Sequence, residues 1–354
     1  MKKVLLIAAI VIIFASCEDS NPHEPSNDNI IEQPGDNNSI DNTQIIEFQD
    51  PFAKAICTLY WDLNKDGELS YSEASVVTDI LTVFKDSSII TFNELKYFTG
   101  LTTIGKSAFY ECDNLISITI PDSVTTIGEW AFGGCSSLTS VTIGDSVTII
   151  GNYAFRGCNS LTSVTIPDSV TTIGDQAFEY CSSLTSVTIP DSVTTIGDSA
   201  FQGCISLTSI NIPDSVTEIG DRAFYDCDSL TSVNIPDSVT TIGDRTFDGC
   251  SSLTSVTIGD SVTMIGEAAL YGCISLTSVN IPDSVTEIGD VAFASCDSLT
   301  SVYCKATTPP VGGSSMFDDN ASGRKIYVPM ESVEAYKSAK WWSDYASAIV
   351  GYDF

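Results

Sequence analysis

Basic residues and histidine are scarce in this sequence of 354 residues. It has 15 lysines and arginines against 46 aspartates and glutamates, which gives a net charge of −31. A chain this acidic repels nucleic acid and anionic membrane surfaces, so neither is expected as a partner. The single histidine, His23, lies in a polar segment near the N-terminus, so we expect no histidine chemistry in the folded part.

Long hydrophobic runs are also lacking. The longest, residues 4–15, has twelve apolar residues, whereas a membrane-spanning helix needs about 20. Because this run follows Lys2 and Lys3 and ends just before Cys17, it predicts a secretory signal peptide over residues 1–16. The cysteine at this place resembles that of the bacterial lipoprotein signal, where it becomes the lipid-carrying N-terminus. Ordinary cleavage, which leaves Cys17 as a tail thiol, is the alternative.

The lipoprotein resemblance implies export by the Sec pathway and a lipid anchor in the outer membrane as the only membrane contact. Residues 17–44 are rich in Asn, Asp, Glu, Pro and Ser. They cannot bury enough apolar surface to fold, so we expect a disordered tether. The acidic residues just after Cys17 are similar to the surface-export signals of Bacteroidetes lipoproteins, which implies display at the cell surface.

The most informative pattern is a repeat of 23 residues. Cysteines recur at every 23rd position from Cys112 to Cys296, which delimits eight full units. One unit, Cys181–Gly203, reads CSSLTSVTIPDSVTTIGDSAFQG, and its neighbours change only a few letters. A fixed period of this length is the signature of a solenoid, in which each unit contacts only its neighbours. We therefore expect one elongated rod with capped ends rather than two globular domains.

Each unit offers about eight apolar positions that we expect to point inward. In the unit that begins at Cys135, the inward set is Leu138, Val141, Ile143, Val147, Ile150, Ala154, Phe155 and Cys158. In most units a proline, such as Pro167, follows the strand. We expect the strand to end there, because proline cannot donate a hydrogen bond to the ladder. Gly151 would allow the next turn, and a short helical or 3₁₀ turn would then bury Ala154 and Phe155.

The phrase CxSLTSVTIPDSVTTIGDxAF resembles the 23-residue leucine-rich repeat of BspA-like bacterial surface proteins from about Leu101 to Val302. The resemblance implies an α+β repeat solenoid: a parallel-strand leucine-rich repeat rod with a helical N-terminal cap and a C-terminal capping helix. In the C-terminal cap, Ile326 and Val328 would form the last strand, and Val333, Tyr336 and Trp341 would lie on the closing helix. The expected divisions are a signal peptide (1–16), a tether (17–44), a helical N-terminal cap (45–95), the solenoid (96–303) and a C-terminal cap (304–354).

A candidate calcium loop, DLNKDGELSYSE, occupies residues 62–73 and fits the twelve-residue EF-hand pattern. Alternate oxygen-bearing residues converge on one point, and glycine at the sixth position allows the sharp turn. The predicted ligands are Asp62, Asn64, Asp66, Glu68 through its backbone carbonyl, Ser70 and Glu73. We expect a structural Ca²⁺ in the cap, bound with a dissociation constant on the order of 10⁻⁵ to 10⁻⁴ M. An acidic turn that only resembles the motif is the alternative.

Helices are expected on both sides of this loop. Asp50 and Pro51 form a good N-cap and first-turn pair. The apolar spacing places Phe52, Ile56 and Leu59 on the buried face of the first helix. After the loop, the inward face of the second helix would carry Val76, Val77, Ile80 and Leu81.

Three rows along the rod have simple interpretations. Nine cysteines in a line are expected to be buried free thiols, because parallel Cα–Cβ vectors disfavour disulfides and a tetrahedral zinc site. The outward Thr142, Thr165, Thr188 and Thr257, with Asn211, Asn234 and Asn280, fit β-propensity better than an ice-binding array. The acidic row at the corner is expected to be solvated, with weak calcium sites as the alternative; its members are Asp122, Asp145, Asp168, Asp191, Asp214, Asp237, Asp260 and Asp283.

The letters that vary between units flank the Ala-Phe pair. They include Trp130, Tyr153, Arg156, Tyr180, Arg222, Tyr225, Arg245 and Tyr271. Tyrosine, tryptophan and arginine are the residues that anchor interfaces. These positions therefore form a candidate binding strip, and neutral drift at unconstrained positions is the alternative.

The sequence shows no plausible catalytic constellation, so we expect a protein that is not an enzyme. A tethered acidic rod with a repeated face suits adhesion, since many weak contacts add by avidity. The resemblance implies recognition of a host matrix protein, a mucin or another cell, so the expected partner is an extracellular protein or glycan. A glycan-active β-solenoid enzyme and a purely structural surface component are the alternatives.

Overall fold

The computed structural model describes residues 44–354. These residues belong to one compact unit, and its predicted division near residues 95 and 303 stays a prediction. The signal peptide, the Cys17 lipidation site and most of the tether lie outside the described residues. No helix within residues 44–354 is long and apolar enough to cross a membrane.

Two rows of short strands, numbered in chain order, run along the rod. The back row comprises β1 (Thr103–Ile104), β3 (Thr126–Ile127), β5 (Ile149–Ile150), β7 (Thr172–Ile173), β9 (Thr195–Ile196), β11 (Glu218–Ile219), β13 (Thr241–Ile242), β15 (Met264–Ile265), β17 (Glu287–Ile288) and β19 (Val311–Gly312). The front row comprises β2 (Ser117–Thr119), β4 (Ser140–Thr142), β6 (Ser163–Thr165), β8 (Ser186–Thr188), β10 (Ser209–Asn211), β12 (Ser232–Asn234), β14 (Ser255–Thr257), β16 (Ser278–Ile281), β18 (Ser301–Cys304), β20 (Lys325–Pro329) and β21 (Ile349–Tyr352). The helices are α1 (Pro51–Trp61), α2 (Tyr71–Ser75) and α3 (Val333–Ser338), with 3₁₀ turns at Asn93–Tyr97, Met330–Ser332 and Trp342–Tyr345.

All strand pairs in both rows are parallel. In the repeats each residue lies opposite its equivalent one unit away, as in Ser186 with Ser209 and Thr172 with Thr195. The predicted parallel-strand solenoid is therefore confirmed.

The core consists of the repeated inward positions. The eight predicted positions of the unit at Cys135 are all buried. Phenylalanine rings stack from Phe109 to Phe247, with neighbouring centroids 5.1–5.6 Å apart and planes within 6°. The cysteines beside them are buried and free, and each thiol donates to a carbonyl of the preceding coil, as Cys181 does to Phe155 at 3.2 Å. The predicted row of buried free thiols is thus present.

The segment around Ala-Phe differs from the predicted helical or 3₁₀ turn. Its N–H groups alternate in direction: that of Tyr153 donates to Asp175 of the next coil at 2.8 Å, and that of Ala154 donates back to Gly151 at 3.2 Å. Gly151 also has a different role from the one predicted. A Cβ there would lie 2.7 Å from the carbonyl oxygen of Ile127, so glycine is required because the preceding coil comes close.

The N-terminal cap departs from the predicted helical pattern. The buried face of α1 is formed by Ala53 and Cys57, whereas Phe52 and Leu59 are exposed. The helix therefore buries two small side chains and leaves two of its larger apolar ones in solvent.

The second helix is also shorter than predicted, because α2 ends at Ser75. Val77 and Ile80 are buried as expected, but Val76 and Leu81 are exposed. Leu81 has a positive φ of 47°, which no continuous helix contains.

The C-terminal end also corrects two expectations. Ile326 and Val328 lie in β20, but β20 is followed by one more strand, β21. The closing helix α3 carries Val333 and Tyr336, whereas Trp341 lies beyond its end. The buried tryptophan is Trp342, whose indole N–H donates to the Pro310 carbonyl at 2.8 Å.

Candidate functional site

The variable side chains form one edge of the rod, which we call the turn edge: the residues that flank each Ala-Phe pair. The residue before this pair has a left-handed φ in successive units, 59° at both Trp130 and Tyr153 and 56° at both Arg222 and Arg245. This backbone shape places the side chains of one column on a common surface while the Ala-Phe pair stays buried. Four residues of the predicted strip, Trp130, Tyr153, Arg222 and Arg245, therefore share one backbone position in their coils.

Aromatic rings pack against one another at the N-terminal part of the turn edge. Trp130 and Tyr153 are stacked with centroids 4.5 Å apart and planes within 4°. Tyr110 packs edge-on against Trp130 at 5.6 Å. Ring faces in this group are therefore covered by rings of neighbouring coils, and the Tyr153 hydroxyl accepts a hydrogen bond from the Gln176 amide at 3.4 Å.

Arg156 joins this aromatic group to a buried acid. Its guanidinium lies 5.3 Å from the Trp130 ring and 5.6 Å from the Tyr180 ring, and it forms an ion pair with Glu179. Glu179 is only 5% exposed, whereas Tyr180 is 45% exposed. Arg156 is thus held in place by three neighbours and keeps Tyr180 oriented outward.

A second, charged group lies on the C-terminal part of the turn edge. Arg245 approaches Asp248 at 3.4 Å and Glu267 at 3.2 Å. Burial raises the pKa of Asp248 to about 6, although Arg245 opposes the rise, and Asp226 adds to it. In this part of the strip, the ionised form of Asp248 therefore destabilises the folded protein.

Side-chain size at the turn edge is matched between neighbouring coils. A Cβ at Gly203 would lie 2.6 Å from the Tyr180 ring, and a Cβ at Gly249 would lie 2.3 Å from the carboxylate of Asp226. A large residue in one coil thus requires glycine in the next. Packing between neighbouring coils therefore determines part of the variation between units. This counts against unconstrained drift at these positions.

The predicted calcium loop is closed by its own hydrogen bonds. The two carboxylate oxygens of Asp62 accept the N–H groups of Lys65 at 2.7 Å and Gly67 at 2.8 Å. The side-chain oxygen of Asn64 accepts the Asp66 N–H at 2.9 Å, and Asp66 accepts the Glu68 N–H at 2.8 Å. The structure brings the predicted residues into one loop and engages these side-chain oxygens.

Glu73 is the most constrained acid of the loop. It is buried, and its two oxygens accept bonds from the N–H groups of Leu63 and Asn64 and from both the N–H and the hydroxyl of Ser70. Although burial alone would raise the pKa of Glu73, these hydrogen bonds lower it. Four donors fill the acceptor positions of a carboxylate. As arranged, Glu73 has no oxygen lone pair left for an ion.

In this arrangement the side-chain oxygens of the loop accept hydrogen bonds from the loop's own N–H groups. Within residues 44–354 no group of three or more His, Cys, Asp or Glu side chains is placed to hold a metal ion. Calcium binding by the loop therefore stays a prediction from its sequence.

A short extended segment pairs with the end of this loop. The Ile46 N–H donates to the Leu69 carbonyl at 2.8 Å, and the Tyr71 N–H donates to the Gln44 carbonyl at 3.0 Å. Both Ile46 and Leu69 are buried, so this pairing helps to hold the loop against the core.

The repeats match a known family over most of the rod. Residues 102–231 and 217–339 match the family described as BspA type leucine rich repeat region, in six copies. The chain belongs to this family.

Solved structures of other bacterial repeat proteins are similar to this BspA-type chain. A leucine-rich repeat protein from Bacteroides ovatus is 28% identical, with 79% of this chain and 85% of that chain covered and a TM-score of 0.34. A leucine rich cell surface protein from Faecalibacterium prausnitzii is 30% identical, with 72% and 81% covered and a TM-score of 0.38. No curated protein matches the sequence.

The BspA-type rod gathers only part of the predicted strip into one place. Trp130, Tyr153, Arg156 and Tyr180 meet in the aromatic group. The charged group contains Arg245 but not Tyr271, which is exposed further along the edge. Sequence comparison between units missed Tyr110 and the buried partners Glu179 and Asp248, although all three occupy the variable position after the core phenylalanine.

A further aromatic group, absent from the predicted strip, lies at the end of the front row. Tyr303 and Tyr327 are stacked at 4.7 Å, and Tyr352 packs edge-on against them at 5.5 and 5.4 Å. Tyr303 and Tyr327 continue the outward row of threonines and asparagines. The row could have revealed Tyr303 and Tyr327, because they replace the threonine or asparagine of the repeats at the equivalent positions.

Proposed function

We propose that this protein is a non-catalytic binding scaffold at the cell surface, which recognises an extracellular protein or glycan through the turn edge. The observation that carries the proposal is the group of Trp130, Tyr153, Arg156 and Tyr180, held by stacking and by the ion pair with Glu179. Preorganised aromatic and arginine side chains lose little conformational freedom on binding.

The rest of the rod supports a scaffold role. Core positions repeat with little change, so variation is concentrated where a partner can be met. The similar protein from Faecalibacterium prausnitzii is described as a cell surface protein. Surface display of this chain by a lipid at Cys17 belongs to the same proposal, and Cys17→Ala is expected to release the protein from membranes. Unchanged membrane association with no lipid on the N-terminus would contradict the anchor.

A structural calcium ion in the loop of residues 62–73 is a separate proposal. It is supported by the order of oxygen-bearing residues in the sequence. Because Glu73 already accepts four hydrogen bonds, binding would be weak and would compete with them.

One experiment separates the scaffold from its alternatives. The purified protein is applied to arrays of glycans, host matrix proteins and mucins, and glycan turnover is assayed in parallel. Saturable binding without turnover is the expected result. Turnover would favour a glycan-active enzyme, and neither binding nor turnover would favour a structural surface component; either outcome contradicts the proposal.

A further inference from the structure

The two ends of the front row differ in how their outer backbone N–H groups are hydrogen-bonded. Inside the rod, the front-row N–H groups that face the preceding coil donate to its carbonyls, as Thr139 does to Ile116 at 2.8 Å. At the first coil, the N–H groups of Ile90 and Thr91 instead donate to one carboxylate oxygen of Asp50, at 2.5 and 3.2 Å. The Asp50 side chain thus replaces the carbonyl of a preceding coil, and the N-terminal edge is closed.

The C-terminal edge has no such closure. In a parallel pair, alternate residues direct their N–H and C=O groups to the same side. The Ile326 N–H donates to the Ala348 carbonyl at 3.0 Å, so Ile349 and Gly351 direct theirs away from β20. Within residues 44–354 no hydrogen bond reaches those groups. Gly351 and Tyr352 are exposed whereas Ile349 is only 3% exposed, so the open part of the β21 edge lies at Gly351 and Tyr352.

The surroundings of this edge are apolar and contain both charge signs. Phe354 packs against Tyr352 at 5.0 Å and is 50% exposed, and Met330 is 66% exposed. Beside them lies a groove of about 360 Å³ whose lining includes Lys305 and Asp353. A patch that combines open backbone groups, apolar surface and opposite charges is self-complementary.

The distribution of charge along the rod also favours the C-terminal end as a contact between two copies. Residues 112–300 contain 23 acidic and three basic side chains, whereas residues 301–354 contain six acidic and five basic ones. Two copies of this chain repel each other along the repeats but not at the C-terminal end.

We propose that a second copy of this chain docks here, with β21 pairing antiparallel to its equivalent across a two-fold axis. A two-fold axis makes the paired strands antiparallel and brings the same patch of both copies together. The front row would continue through the interface as one sheet, and the two N-terminal caps would lie at opposite ends of the dimer.

The test is the molar mass of the compact unit, residues 44–354, over a concentration series. Sedimentation equilibrium should show a monomer–dimer transition below about 100 µM. Gly351→Pro removes an outward N–H that has no partner in the rod, and Met330→Lys places like charges across the axis. Both variants should weaken dimerisation at least about tenfold. Met330→Lys should retain the thermal unfolding curve. A Cβ at residue 351 would lie 3.3 Å from Met330 and Val333, so the unfolding curve of Gly351→Pro is measured before its dimerisation is compared.

The matched control is Leu63→Lys, which changes a residue 59% exposed in the opposite cap and should dimerise like the parent. A parent protein that stays monomeric throughout the series overturns the proposal. So does a dimer that Leu63→Lys abolishes and Gly351→Pro leaves intact. If Met330→Lys unfolds the chain, Gly351→Pro alone decides. A monomer that instead takes up an extended peptide at this edge also overturns the second copy as occupant.

Discussion

The carboxylate of Asp50 accepts a hydrogen bond from the backbone N–H of Ile90, 40 residues further along the chain. Its other oxygen caps α1 by accepting the Phe52 N–H at 2.7 Å and the Ala53 N–H at 3.2 Å. One buried side chain therefore ties the first helix to the first strand position of the front row. The N-terminal cap and the rod are joined by polar bonds as well as by apolar packing.

Asp50→Ala is expected to loosen the cap and leave the distant repeats unchanged. It removes the helix cap and leaves the N–H groups of Ile90 and Thr91 without an acceptor, which should cost about 2–4 kcal/mol. Hydrogen exchange should accelerate in residues 44–105 and stay constant beyond residue 150, because each coil touches only its neighbours. Asp122→Ala, at an exposed corner, is the control. Equal protection in the Asp50→Ala and Asp122→Ala proteins would contradict this role.

The cysteine row should be unreactive in the folded protein. Burial raises the pKa of Cys181 to about 12 and that of Cys296 to about 12, and the thiolate is the reactive form. Alkylation at about pH 8 should leave the eight thiols from Cys135 to Cys296 unlabelled, and concentrated guanidinium chloride should expose them all. Cys112 is the exception in the row, because its hydrogen bond with Cys135 lowers the pKa of its thiol. Mass spectrometry that finds disulfide-linked pairs 23 residues apart would show the assignment to be wrong.

Asp248 should make stability depend on pH. Burial raises its pKa from the ordinary 3.8 to about 6. The folded state therefore binds this proton more tightly than the unfolded state does, so the acid costs stability above pH 6 and the cost disappears as the pH falls below 3.8. Asp248→Asn should stabilise the protein near neutral pH by up to about 3 kcal/mol, less whatever the lost pairing with Arg245 contributed.

Chemical denaturation at several pH values checks this expectation. The gain should be present near neutral pH and vanish below pH 3.8, the ordinary pKa of an aspartate. Asp237→Asn changes an exposed aspartate and should have almost no effect at either pH. A gain for Asp248→Asn that does not change with pH would rule out titration as its cause.

Glu73 tests the loop with and without calcium. Because Glu73 holds Leu63, Asn64 and Ser70 through hydrogen bonds, the cap should stay folded in chelator and Glu73→Gln should destabilise it. Titration calorimetry should show weak calcium binding, with a dissociation constant on the order of 10⁻⁵ to 10⁻⁴ M or weaker, and Glu73→Gln should abolish it.

Glu68→Gln is the matched control for that titration. The Glu68 side chain pairs with Lys54, and only its backbone carbonyl is a predicted ligand, so calcium binding should persist. A cap that unfolds in chelator would contradict closure by hydrogen bonds. Calcium binding by Glu73→Gln equal to the parent would contradict the predicted site.

The repeated part of the fold could be predicted because each position recurs in many units of the sequence. Positions equivalent to Val141 and Phe155 are apolar in nearly every unit. A residue that is apolar by chance in one unit is therefore easily told apart from a core position. The cap has only one copy of its pattern. There the spacing of Phe52 and Leu59 favoured the wrong face, because α1 buries the small residues Ala53 and Cys57 instead of the large apolar ones.

The sequence predicts where the variable side chains of the turn edge lie, but it does not predict which of them contact one another. Variation between units identified Trp130, Tyr153 and Tyr180. Their packing arises between residues 23 or more positions apart, through coil spacing that happens to match ring stacking. The same limit hid β21, because Ile349–Tyr352 lies outside the repeat pattern and becomes a strand only by pairing with β20.

The central claim is that the turn edge binds the partner, and a matched pair of triple variants tests it most directly. Trp130→Ala, Tyr153→Ala and Tyr180→Ala together remove the aromatic group, and Thr142→Ala, Thr165→Ala and Thr188→Ala remove the same number of outward side chains from the front row. Both proteins are measured by surface binding against whichever array component the parent binds, after their folding is checked by thermal unfolding. The turn-edge variant should bind at least about tenfold more weakly, and the front-row variant should bind like the parent. Retained binding by the folded turn-edge variant, with loss in the front-row variant, would contradict the account.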